Sequence, residues 1–133
     1  MMKSHIVSFC ATVALATVIS AQNVSASPQD YEFQLVQDAL PLAQDTIISV
    51  RLMHKPTGKP VGDAVIFATR LDMAPDGMPT MMADLEALPS EETGIYRYRT
   101  TLGMEGSWRL SLAAKVQGEK DTVQSRLVLK AKN

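Results

Sequence analysis

The chain has 133 residues, with 13 Lys and Arg against 14 Asp and Glu, two histidines and one cysteine, for a formal net charge of −1. That length supports one compact core and is too short for two. With no basic block, composition gives no support for nucleic-acid binding or electrostatic docking on a membrane.

The N-terminus reads as an export signal. Lys3 supplies a positive charge, and the stretch from Ile6 to Ile19 is apolar apart from a few Ser and Thr. The run is short for a bilayer crossing and leads to Val24-Ser25-Ala26, small residues of the kind that precede a cleavage site. Residues 1–26 are therefore expected to leave as a signal peptide, with 27–133 as the mature domain in a periplasmic or secreted setting. A cut after Ala21 and a retained N-terminal anchor are the alternatives. Cys10 lies too early in the apolar run to be a lipid-attachment site, and the sequon Asn23-Val24-Ser25 would leave with the signal. The mature chain then holds no cysteine, so it must be stabilised by packing without a disulfide and offers no thiolate to a metal or a substrate.

The mature sequence alternates. In residues 31–38, Tyr31, Phe33 and Leu35 fall on one face and Glu32 and Gln34 on the other. Residues 46–53 place Ile48, Val50 and Leu52 inward, and a turn rich in Pro and Gly follows at 54–60. Residues 61–71 are apolar enough on both faces to predict a central strand. A Met- and Pro-rich loop at 72–82 leads to a strand over 83–88 and a turn at 89–94. Residues 95–101 turn Tyr96 and Tyr98 inward, and 107–116 bury Trp108, Leu110, Leu112 and Ala114. After Gly118 a last strand buries Val123, Leu127 and Leu129. No segment has a 3.6-residue repeat of helical length. About seven short strands predict an all-β fold, an immunoglobulin-like antiparallel β-sandwich. Gly94-Ile95-Tyr96 is placed as a tyrosine corner would be, or is simply an inward aromatic.

The chemistry concentrates in residues 72–82, which hold four methionines among Pro75, Asp76, Gly77 and Pro79. Methionine fills irregular cores and adhesive surfaces, yet these neighbours are loop formers, so core packing accounts for one or two of the four. The thioether is a soft, neutral ligand suited to Cu(I). Prolines would restrict the loop and reduce the ordering entropy lost when sulfurs converge on a metal. Met81 and Met82 are adjacent and point oppositely in an extended chain, and the expectation is Met81 outward as a ligand and Met82 inward. Antiparallel strands with short connections put successive loops at alternating ends, which brings the loop at 102–106 beside the methionine loop. Met73, Met78, Met81 and Met104 are therefore the candidate metal ligands. The same count sends His54, the only mature histidine, to the opposite end.

The stretches Lys55-Pro56-Thr57-Gly58-Lys59-Pro60-Val61, Met78-Pro79-Thr80-Met81, Gly94-Ile95-Tyr96 and Met104-Glu105-Gly106-Ser107-Trp108-Arg109-Leu110 resemble, in order and spacing, the YtkA-like and FixH-like family of small exported β-sandwich domains. The resemblance spans roughly residues 44–116. It implies an immunoglobulin-like fold and a role in copper handling or respiratory-oxidase assembly, with the Met-Pro-x-Met segment as the site. Residue by residue it points to Met78 and Met81, and less firmly to Met104.

Three classes of function compete. The first is a Cu(I)-binding domain with a copper-protein or oxidase-assembly partner. The second is a cell-envelope interaction module that uses the same methionines as an apolar contact patch without metal. An enzyme is the weakest, because one histidine and no cysteine cannot supply a nucleophile, a base and a group to orient it. Asp72 and Asp76 read as loop solvation and turn chemistry. With Asp84 they lack the dense spacing of a calcium loop.

Overall fold

In the computed structural model, residues 28–133 are described; the expected signal peptide, its alternative cut and Cys10 lie outside the described residues. The period-two segments form strands, in chain order β1 Tyr31–Leu35, β2 Ala39–Pro41, β3 Thr46–His54, β4 Lys59–Pro60, β5 Val65–Met73, β6 Met78–Ala83, β7 Glu86–Leu88, β8 Ile95–Thr100, β9 Gly106–Lys115 and β10 Val123–Lys132. One sheet has the order β1-β3-β8-β7, with β4 also on β3, and the other the order β2-β10-β9-β5-β6. No helix among the described residues is long and apolar enough to cross a membrane.

The two sheets bury the faces that alternation assigns to the interior. Phe33, Ile48, Val50, Leu52 and Tyr98 from the first sheet share a core with Leu71, Trp108, Leu110, Leu112, Ala114, Val123 and Leu129 from the second. Each fully buried Leu or Ile contributes about 1.5–3 kcal/mol relative to exposure, which offsets the ordering entropy of the strands without a covalent cross-link. The all-β sandwich is thus as expected, but with ten strands where about seven were expected and with the strand expected over 83–88 divided, Ala83 ending β6 in one sheet and β7 lying in the other; three further departures are local.

First, the strand expected over 31–38 is divided between the sheets. β1 pairs with β3 as far as Leu35, and the Val36 N–H still donates to Ser49 O (2.9 Å). The chain then crosses over, Asp38 O accepts Lys130 N–H (2.7 Å), and β2 runs parallel to β10, so the sandwich is antiparallel except at this edge. Second, the strand expected over 61–71 begins at Val65 and is flanked on both sides only at its C-terminal end, because β6 pairs just with Leu71, Asp72 and Met73. Val65 and Phe67 are consequently exposed, and the register shift between Ile66 and Ala68 turns Phe67 outward as a bulge does. Third, residues 72–82 form a hairpin in place of a loop.

Tyr96 faces in from β8, and its hydroxyl donates to Val61 O (2.8 Å) and accepts the Ala64 N–H (3.2 Å). It pins the segment between β4 and β5, a backbone partner more than thirty residues upstream. Beside it Gly94 adopts φ +81°, and a side chain there would meet Pro60 Cβ at 2.5 Å.

Candidate metal centre

β5 runs to Met73, a single 3-10 turn spans Ala74–Asp76, and Gly77 at φ +75° closes it by donating its N–H to Ala74 O (2.9 Å). Left-handed backbone at this point favours glycine. β6 then returns as the edge strand of its sheet, where Pro79 is tolerated because a free edge does not need its N–H. The pairing is uneven: Met82 lies opposite Asp72 while Met78 lies opposite the adjacent Met73. Pro79, Thr80 and Met81 are thereby surplus to the ladder and bow out of it.

Asp72 organises this hairpin. Its side chain is fully buried. Oδ1 accepts the Ala74 N–H (2.9 Å), and Oδ2 accepts Arg70 Nε (2.7 Å) and Arg109 Nη2 (3.4 Å). Arg70 in turn donates through Nη2 to Pro79 O (2.8 Å), tying the bowed stretch to the sheet. Burial by itself would push the Asp72 carboxyl up; the hydrogen bonds from Arg70 and Ala74, with the charge and hydrogen bond of Arg109, outweigh it and hold the group below its ordinary value. The sequence reading of Asp72 as a turn former holds, and its reading as a solvated loop residue does not. Arg70 and Asp72, two apart on a strand, share a face, and that spacing was the available signal.

The second loop is anchored independently. Leu102 is buried and donates its N–H to Ala43 O (3.2 Å), while the indole N–H of Trp108 donates to Met104 O (3.1 Å). The two loops meet at Asp76, whose Oδ2 accepts the Ser107 N–H (2.8 Å). Gly106, at φ +141°, lies so close that an added Cβ would collide with Asp76 Oδ2 and come within 2.8 Å of Met73 Cε. The end-to-end count from sequence is therefore correct in joining residues 102–106 to the methionine hairpin.

Within that junction the methionines differ. Met73 is fully buried in the core, with its methyl end against Gly106, and Met78, its cross-strand partner, packs half-buried against the same core. Met81 and Met104 are each 38% exposed. Met82 is 57% exposed opposite Asp72, so the expected inward orientation is incorrect: the bow in β6 breaks the simple alternation on which it rested. His54 stands at the other end of β3, its Nδ1 2.8 Å from Thr57 Oγ1 and its ring 5.1 Å from that of Tyr31. Among the described residues no group of three or more His, Cys, Asp or Glu is arranged to hold a metal.

Two packed β-sheets with a methionine hairpin at one end define the chain as a small β-sandwich domain. The sequence model of the YtkA-like family matches residues 25–113, and the chain belongs to that family. The match begins earlier than the resemblance read from its motifs and takes in β1 and β2. No curated protein matches. Among solved structures, the Lin-41 filamin domain is similar at 18% identity and TM-score 0.45, covering 77% of this chain and 92% of its own. The ZirS C-terminal domain is similar at 12% identity and TM-score 0.45, covering 100% and 88%. A DUF4426 family protein from Pseudomonas aeruginosa PAO1 is similar at 12% identity and TM-score 0.47, covering 75% and 86%.

Proposed function

We propose that this domain is a binding protein, not an enzyme, and that it holds Cu(I) through the thioethers of Met78, Met81 and Met104 in copper handling or the assembly of a copper-containing partner. The observation that carries the reading is the junction itself. The two loops bearing the half-buried Met78 and the exposed Met81 and Met104 are fastened to each other through Asp76 and Ser107, and each is separately anchored, the hairpin by Asp72 and the second loop by Leu102 and Trp108. Such anchoring lowers the ordering cost of bringing three sulfurs to one ion. Thioethers supply a soft, uncharged donor set that favours Cu(I) over hard cations and needs no deprotonation. Met73 serves as the buried prop beneath the hairpin, with Met78 beside it.

Anaerobic alkylation of thioethers by iodoacetamide, mapped by mass spectrometry, tests this with an internal control. Added Cu(I) is expected to slow alkylation of Met78, Met81 and Met104 and leave the exposed Met82 unchanged. Equal rates with and without Cu(I) at all four positions would refute the assignment.

A second reading is favoured by one observation. Met81, Met82 and Met104 are all exposed, as an adhesive apolar patch for a protein partner requires. It predicts no effect of Cu(I) on any methionine, and protection of all three, Met82 included, when the partner is bound.

A further inference from the structure

The sheet of β2, β10, β9, β5 and β6 segregates charge. Its five strands carry six basic residues, Arg70, Arg109, Lys115, Arg126, Lys130 and Lys132, and a single acid, Asp72. All six point away from the core, because their strand neighbours Leu71, Leu110, Ala114, Leu129 and Ala131 are buried and Leu127, beside the exposed Arg126, packs half-buried against the core. Asp72 is fully buried beneath Arg70 and Arg109 and offers the surface no negative charge. The other acids of the chain lie on the opposite sheet or in the connections. A chain with net charge −1 thus presents one strongly cationic face.

The face also has a shape. Arg70, Ser111 and Arg126 are register partners across three adjacent strands. They line an open groove of about 700 Å³ together with Arg109, Ala113 and Gln124. Arg126 and Lys130, four residues apart on β10, stand about 13 Å from one another, since a strand advances about 3.3 Å per residue. An extended polypeptide with acids at alternate positions repeats its carboxylates at about 7 Å on one face, which meets both cations in register. The groove lies across β5, β9 and β10 with the small residues Ala68, Ser111 and Ala113 in its lining between Arg70, Arg109 and Arg126, which leaves room for a chain segment among the cations.

We infer that this outer sheet face docks an acidic, extended segment of a partner protein, with Arg126, Lys130 and Arg109 as its principal contacts. The inference does not rest on the copper reading: Arg126 and Lys130 lie on the sheet face away from the methionine junction, and Arg109 alone also reaches the hairpin, through Asp72.

The test uses the protein with a fluorescent peptide of four Glu-Ser repeats and a Gln-Ser control. Binding by anisotropy at low salt is expected for the Glu peptide alone and is expected to fade as salt shortens the Debye length below about 10 Å. Arg126→Glu with Lys130→Glu should weaken it at least about tenfold, as reversal of a complementary contact does. Arg51→Glu with Lys59→Glu, the same charge change on the opposite sheet, should leave it within about twofold. Thermal unfolding of both variants checks that they are folded, and their unchanged response in the alkylation assay separates this face from the methionine site. Equal loss in both pairs would overturn the inference by reducing it to net charge. Binding to phosphatidylglycerol vesicles without binding to the peptide would overturn it in favour of a lipid surface.

Discussion

Substituting Asp72→Asn probes the hairpin's organisation with almost no change in shape. The amide keeps an oxygen for the Ala74 N–H but presents its NH2 to Arg70 and Arg109, so the 2.7 Å and 3.4 Å contacts of Oδ2 are lost. A hydrogen bond to a charged group contributes about 1.5–3 kcal/mol when sheltered. The Arg70 and Arg109 side chains are 45% and 30% exposed, so water recovers part of the loss. The net cost should be about 2 kcal/mol, and with a urea slope of about 1–2 kcal/mol/M the midpoint should fall by about 1–2 M. The sign with pH follows from the lowered carboxyl. Its stabilisation is complete above the unfolded value near about 4 and is lost as pH falls through the lower folded value, so parent and variant should converge in acid. Urea titrations at neutral and acid pH measure this. A difference below about 0.5 kcal/mol at neutral pH, or one that persists unchanged in acid, would refute the reasoning.

Gly106→Ala forces a side chain into Asp76 and Met73 at φ +141° and should cost about 3 kcal/mol, whereas Gly77→Ala at φ +75° meets open space and should cost about 1–2 kcal/mol. Paired urea denaturation of the two variants reads the difference. Tyr96→Phe leaves Val61 O and the Ala64 N–H without their shared hydroxyl and should lose about 2 kcal/mol, a fall in thermal midpoint of roughly 10 °C. Because thioethers do not titrate, Cu(I) affinity measured between about pH 5 and 8 should stay flat, where a histidine ligand would weaken it toward acid.

Strand positions and inward faces were legible in the sequence because alternation is dictated by burial on one side of a sheet: Ile48, Val50 and Leu52, or Trp108, Leu110 and Leu112, need no tertiary knowledge. What was not legible depends on register. The hairpin at 72–82 looked like a loop because Pro75, Gly77 and Pro79 are turn formers, yet Pro79 is acceptable on an edge strand, and which strand is an edge is decided by the whole sheet. The orientation of Met82 was misread for the same reason, since three residues bowed out of β6 shift every later side chain. The junction of the hairpin with residues 102–106 was foreseen from loop counting alone, and the Asp76–Ser107 bond is its physical expression. The cationic face escaped notice because its residues are never consecutive. Arg126, Lys130 and Lys132 alternate with buried or neutral residues, and Arg70 and Arg109 join them only across the ladder.

The decisive measurement for the thioether site is equilibrium competition for Cu(I) between the protein and a chromophoric chelator, with a Met78→Leu/Met81→Leu variant that conserves volume alongside. A three-thioether site should bind one Cu(I) per parent chain and lose affinity at least about a hundredfold in the variant, as expected when two of three soft ligands are removed. Failure of the parent to take copper from the chelator, or equal affinity in the variant, would contradict it.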